Sequence, residues 1–88
     1  MEIKNMRTIE ALKEAQRLQT ECVVHKLPIY ITITAMSDQM VVFVQDDEHE
    51  ILFNEIFSDD PLLYGRNDRY YKELLQIISR CTDVSLAG

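Results

Sequence analysis

Residues 29 to 36 commit the middle of the chain to β-structure. Ile29, Ile31, Ile33 and Ala35 alternate with Tyr30, Thr32, Thr34 and Met36, and a period of two in β-branched and aromatic residues marks a strand with one buried face. Turn chemistry follows at Ser37-Asp38-Gln39, then a second β-rich run from Met40 to Gln45, so the two runs are expected to form an antiparallel hairpin. Asp46-Asp47-Glu48 marks the next turn. Residues 50 to 57 are expected to return as a third strand, with Ile51 and Phe53 on one face and Leu52 and Asn54 on the other, the alternative being that the end of the run starts a helical turn.

Helical periodicity brackets these strands. From Thr8, expected as the N-cap, the residues Ala11, Leu12, Ala15, Leu18 and Cys22 recur at helical spacing, which predicts a helix over about 8 to 24. Pro28 enforces an exit before it. Ser58-Asp59-Asp60-Pro61 is a turn or helix-start signal, and Leu62-Leu63-Tyr64-Gly65 reads as a connection. With Asn67 or Asp68 as cap, Tyr70, Tyr71, Leu74, Ile77, Ile78 and Cys81 share one face of a second helix over about 68 to 81. The tail from Thr82 to Gly88 carries no clear pattern.

The expected fold is therefore α+β, in the order α-β-β-β-α: a three-stranded antiparallel meander with two helices packed on one face. An apolar fraction of 47% with 27% charged residues places the chain among folding sequences rather than disordered ones. Its 88 residues are expected to form one small globular domain, 1–88. The order is similar to that of the double-stranded RNA-binding domain. That function does not follow, because phosphate recognition needs a basic helix end and a Lys-rich loop, and the matching stretch here is neutral or acidic.

Charge is unevenly spread. Residues 36 to 65 hold eight acidic side chains (Asp38, Asp46, Asp47, Glu48, Glu50, Glu55, Asp59, Asp60) and no Lys or Arg, while the whole chain has a net charge of −6. Such a field attracts cationic partners and repels phosphate, so no direct nucleic-acid binding is expected. Two glycines, Gly65 and Gly88, exclude a phosphate-cradling Gly-rich loop. The first residues lack an apolar signal region, and the longest strongly apolar run, Met40 to Val44, is too short for a membrane helix. Cys22 and Cys81 lie far apart on apolar helical stripes, which is the pattern of buried, reduced thiols in a cytoplasmic protein.

Catalytic chemistry finds little footing. His49 within Asp46-Asp47-Glu48-His49-Glu50 offers oxygen ligands and an imidazole, but the spacing and glycine of a calcium loop are missing. No serine has a Gly-flanked elbow or a local histidine. Neither catalytic residues, a metal nor a cofactor is expected.

Two surfaces remain. Asp46, Asp47, Glu48, Glu50, Asp59 and Asp60 would gather into an acidic rim at one end of the sheet if the third strand returns antiparallel, or be split between its ends if that strand is bulged, and a gathered rim suits a basic protein surface. If Ile29, Ile31 and Ile33 face inward, Tyr30, Thr32 and Thr34 face outward beside either Val41 and Phe43 or Val42 and Val44, with Leu52 or Phe53 opposite, and Tyr30, Thr32, Thr34 and Phe43 make a candidate face for a partner or a homodimer. The expected function is a non-enzymatic acidic protein-binding module, an inhibitor that occupies a basic nucleic-acid-binding surface of a partner protein. The alternatives are an adaptor or chaperone for a cationic polypeptide, and a small metal-dependent enzyme using the acidic turns.

Overall fold

The computed structural model describes residues 6–80. Helix α1 (Thr8–Val24) is followed by strands β1 (Ile29–Ala35), β2 (Gln39–Asp46) and β3 (Ile51–Ser58), a 3-10 turn at Pro61–Leu63 and helix α2 (Tyr64–Arg80). The strands form one antiparallel sheet in the order β1-β2-β3. This is the α-β-β-β-α order with a three-stranded meander that the alternation and helical periods imply. No helix among the described residues is long and apolar enough to cross a membrane.

Pairing sets Ile31 opposite Val44, Ile33 opposite Val42, Met40 opposite Phe57 and Val44 opposite Phe53. One face of the sheet thereby gathers Ile29, Ile31, Met40, Val42, Val44, Phe53 and Phe57, all buried. Onto it pack Ala11, Ala15, Leu18 and Cys22 from α1, and Leu74 and Ile78 from α2. The two alanines keep α1 close to the sheet, where it rests mainly on β1, while α2 rests on β3 and touches α1. Leu18, Leu74, Ile78 and Phe57 are essentially sealed from solvent, and each such side chain contributes roughly 1.5–3 kcal/mol. Glu55, opposite Val42, places a charge in the middle of the covered face of the sheet, where the other charged strand residue, Asp46, stands at its end opposite Ile29. An inward-pointing charge on an edge strand discourages another strand from docking there.

Three local expectations are corrected. Thr8 is not the N-cap of α1: Arg7 occupies that position, its N–H bonded to the Glu10 carboxylate at 3.3 Å, and Thr8 is buried in the first turn. Helix α2 begins at Tyr64, ahead of Asn67, because Asp60 already caps the preceding 3-10 turn by accepting the Leu62 N–H at 3.0 Å. Third, the register of β3 shifts beside Val44 and Gln45, so that Phe53 pairs with Val44 but Ile51 with Gln45. The bulge sends Phe53 into the core and leaves Ile51 58% exposed on the opposite face. Cys22 is buried, whereas Cys81 and the tail lie outside the described residues.

Asn67 closes the end of the sheet. Fully buried, its Nδ2 donates to the carbonyls of Met6 (3.0 Å) and Ser58 (2.8 Å), and its Oδ1 accepts the Ser58 N–H at 3.2 Å. Next to it the Met6 N–H reaches the Tyr64 carbonyl at 3.1 Å. These bonds bring the starts of both helices together, so α1 and α2 run in the same direction. Farther along, the Tyr71 hydroxyl donates to Glu14 at 3.2 Å, and Arg17 bonds Glu14 at 2.8 Å.

Candidate functional site

With both helices on one side, the other side of the sheet is bare of secondary structure among the described residues. Three rows cross it: Tyr30–Gln45–Ile51, Thr32–Phe43–Asn54 and Thr34–Val41–Ile56. All nine side chains are uncharged. Tyr30, Ile51 and Ile56 are about half exposed or more, at 56%, 58% and 48%. Solvent-facing sheet surfaces ordinarily carry Lys and Glu, which keep them soluble and unpaired. Tyr30, Thr32, Thr34 and Phe43, the residues singled out from the alternation, stand together here, with Thr32 directly opposite Phe43. The segment after β3 does not fold over them. Ser58 and Asp59 turn instead toward Asn67, Arg7 and Asp38.

At the Tyr30 end of this face projects the β2–β3 turn. Asp46 organises it: one carboxylate oxygen accepts the N–H groups of Glu48 and Glu50, both at 2.9 Å, and the backbone of Asp46 bonds Glu50 at 3.1 Å and His49 at 3.0 Å. His49 completes the reversal with φ of 67°, the left-handed residue that follows a type I turn in three-residue hairpin loops. Its ring stacks on Tyr30, centroids 6.1 Å apart and planes 16° from parallel. The turn is thus pinned to the uncharged face. Asp47, Glu48 and Glu50 are exposed at its tip.

The six acidic residues of the expected rim are not brought together. An antiparallel β3 carries the chain back along the sheet, and this separates its two flanking connections by roughly 25 Å at ~3.3 Å per residue. Asp59 and Asp60 therefore sit at the far end, beside the β1–β2 turn, where the Asp59 N–H bonds the Asp38 carbonyl at 2.8 Å. Both are engaged locally. Asp59 accepts the Tyr64 hydroxyl at 3.2 Å and faces Arg7 at 3.8 Å, while Asp60 caps Leu62. Of the expected rim, Asp47, Glu48 and Glu50 remain as an acidic tip, with Asp46 as its internal brace.

No group of three or more His, Cys, Asp or Glu among the described residues is placed to hold a metal ion. The register places Val41 and Phe43, rather than Val42 and Val44, on the bare face, and Ile51 and Ile56 join it without having been singled out from the sequence. For Ile51 the bulge hid the signal. Comparison of the chain with family models, with curated proteins and with solved structures finds no match.

Proposed function

We propose that this chain is a non-enzymatic protein-binding module that docks on a basic partner, with the acidic tip steering the approach and the uncharged sheet face forming the contact. The carrying observation is the nine-residue face without a charge, fastened at one end to the acidic turn by the Tyr30–His49 stack. Apolar and aromatic groups at the centre of an interface supply affinity, and charges at its edge set the rate of encounter and exclude partners of the wrong sign. An inhibitor that competes with nucleic acid for a basic protein surface fits this division of labour, because carboxylates there stand where phosphates otherwise would.

The same face supports a second reading, a homodimer closed face to face, since uncharged surfaces of this kind suit self-association. Salt separates the two. Screening acts over ~8 Å at physiological ionic strength, so added salt weakens capture of a basic partner but strengthens association of two chains that each carry −6. The test is affinity capture of a basic partner followed by binding kinetics across a salt series. The triple variant Asp47→Asn, Glu48→Gln, Glu50→Gln is expected to slow association several-fold with little change in dissociation, and Phe43→Glu to speed dissociation. Binding indifferent to salt and to both variants would sink the reading. Light scattering of the isolated chain, with dimer mass growing as salt is added, would favour the homodimer.

A further inference from the structure

The sheet has two outer edges, and a helix side chain reaches the backbone of each. Antiparallel pairing alternates along a strand. Because the Met36 N–H bonds the Gln39 carbonyl at the β1–β2 turn, Thr34, Thr32 and Tyr30 direct their backbone groups to β2, and Ile33 and Ile31 direct theirs outward. On β3 the outward groups nearest the start of α2 are taken up by it: Arg66 donates to the Ile56 carbonyl at 3.1 Å, and Asn67 holds both backbone groups of Ser58. On β1, among the described residues, a single side chain intervenes, Gln19, whose amide donates to the Ile31 carbonyl at 2.8 Å. Alongside runs a groove of about 490 Å³, walled by Gln19, Val23 and Val24 of α1 and by Ile29, Tyr30 and Ile31 of β1. Val23 and Val24 are 74% and 64% exposed.

We propose that this groove receives a fourth strand: an extended segment of the partner, paired antiparallel with β1, apolar at alternate positions and basic toward its C-terminal end. Each part of that description answers an observation. Outward N–H and C=O groups on β1 call for an extended backbone, and the apolar walls call for side chains at every second position. Strand β1 starts beside the acidic turn, with Ile29 opposite Asp46, so an antiparallel segment ends next to Asp47, Glu48 and Glu50. Lys26 and His25 lie at the same end, but His25 is paired with Glu21 at 3.1 Å, and the local balance stays negative. While the groove is empty, Gln19 supplies the donor that Ile31 would otherwise lack, so entry exchanges one hydrogen bond for another.

A second copy fits the groove less well. Gln19 reaches from α1 to the outer edge of β1, so α1 stands over the space a fourth strand would enter. A β1 from another copy arrives carrying its own α1 on the same face, and neighbouring strands are ~4.8 Å apart where helices need about 8–10 Å. The occupant is accordingly a strand that bears no helix.

This inference rests on the reading of the chain as a binding module and names the segment it binds. Its test is selection of a displayed library of random linear peptides on the full chain, followed by fluorescence anisotropy with the enriched peptides. Alternating apolar residues with Lys or Arg near the C-terminus are expected. Val23→Glu, at an exposed position that leaves the core intact, should weaken binding at least about tenfold, and proline at the peptide's centre should abolish it. Bound peptide should also protect the Ile31 and Ile33 amides from hydrogen exchange. Glu73→Gln, at an exposed position of α2 away from both surfaces, should leave peptide affinity unchanged. Failure to enrich any peptide, or enriched peptides indifferent to Val23→Glu, overturns the groove, and so does concentration-dependent protection of Ile31 and Ile33 in the isolated chain. None of these outcomes removes the sheet-face reading, which falls only if a basic partner ignores salt, the acidic-tip variant and Phe43→Glu.

Discussion

Among the described residues, two hold left-handed backbone without being glycine: Lys26 with φ of 55° and His49 with φ of 67°. Lys26 ends α1 in the manner usually given to glycine, its N–H on the Val23 carbonyl at 3.2 Å and the Leu27 N–H on the Cys22 carbonyl at 2.9 Å. A side chain there costs roughly 1 kcal/mol. Lys26→Gly should therefore raise stability by about 0.5–1 kcal/mol in urea titrations, the larger entropy of unfolded glycine offsetting part of the gain; a loss would show that the lysine side chain supports the helix end. His49 differs, because its ring stacks on Tyr30 and a glycine would forfeit that contact. Neither residue advertises its backbone in the sequence. The end of α1 was legible through Pro28, which forbids continuation, rather than through a capping residue. Asn67 misled for a related reason: a side chain suited to caps is equally suited to satisfying three buried backbone groups.

At the scale of elements, the period-two and helical patterns located all three strands and both helices, because burial on one face imposes them directly. Boundaries depended on chemistry that the patterns do not carry. Asp60 followed by Pro61 is a sound helix start, yet Leu62, Leu63 and Gly65 interrupt the amphipathic stripe and push the apparent beginning of α2 later. The bulge in β3 adds one residue without altering composition, so the face of Ile51 was misread. The helix pair is clasped by Tyr71, Glu14 and Arg17. Burial, with the Glu14 carboxylate beside it, holds the Tyr71 phenol above its usual range, although Arg17 pulls the other way. A phenol whose folded pKa is raised contributes stability that is complete below its ordinary value near 10.0 and is lost as pH climbs through the raised value. Thermal unfolding across that alkaline window should show a steeper fall for the wild type than for Tyr71→Phe, which should cost about 1 kcal/mol at neutral pH. Equal slopes would mean that the clasp does not couple to folding.

For the whole molecule, the count of charges was legible and their arrangement was not. Eight carboxylates in thirty residues left open whether six of them share one rim or divide between the two ends of the sheet, and sequence proximity across a strand becomes separation in space when that strand runs the length of the sheet. The uncharged face, by contrast, follows from alternation in β1 and β2 once the inward side and the register are known, and the bulge hides it only at Ile51. Asn67 has a consequence in time as well as in structure. Its bond to Met6 joins positions 61 residues apart, while the hairpins are local, and contacts that close so long a loop form late in folding. Asn67→Ala should lose about 2 kcal/mol, nearly all of it as roughly thirtyfold faster unfolding with refolding scarcely altered; stopped-flow traces in which refolding slows instead would place this residue in the nucleus. One buried carboxamide would then govern how long a folded copy endures, and with it how long a partner finds a binding surface intact, while leaving the speed of its making to the strands.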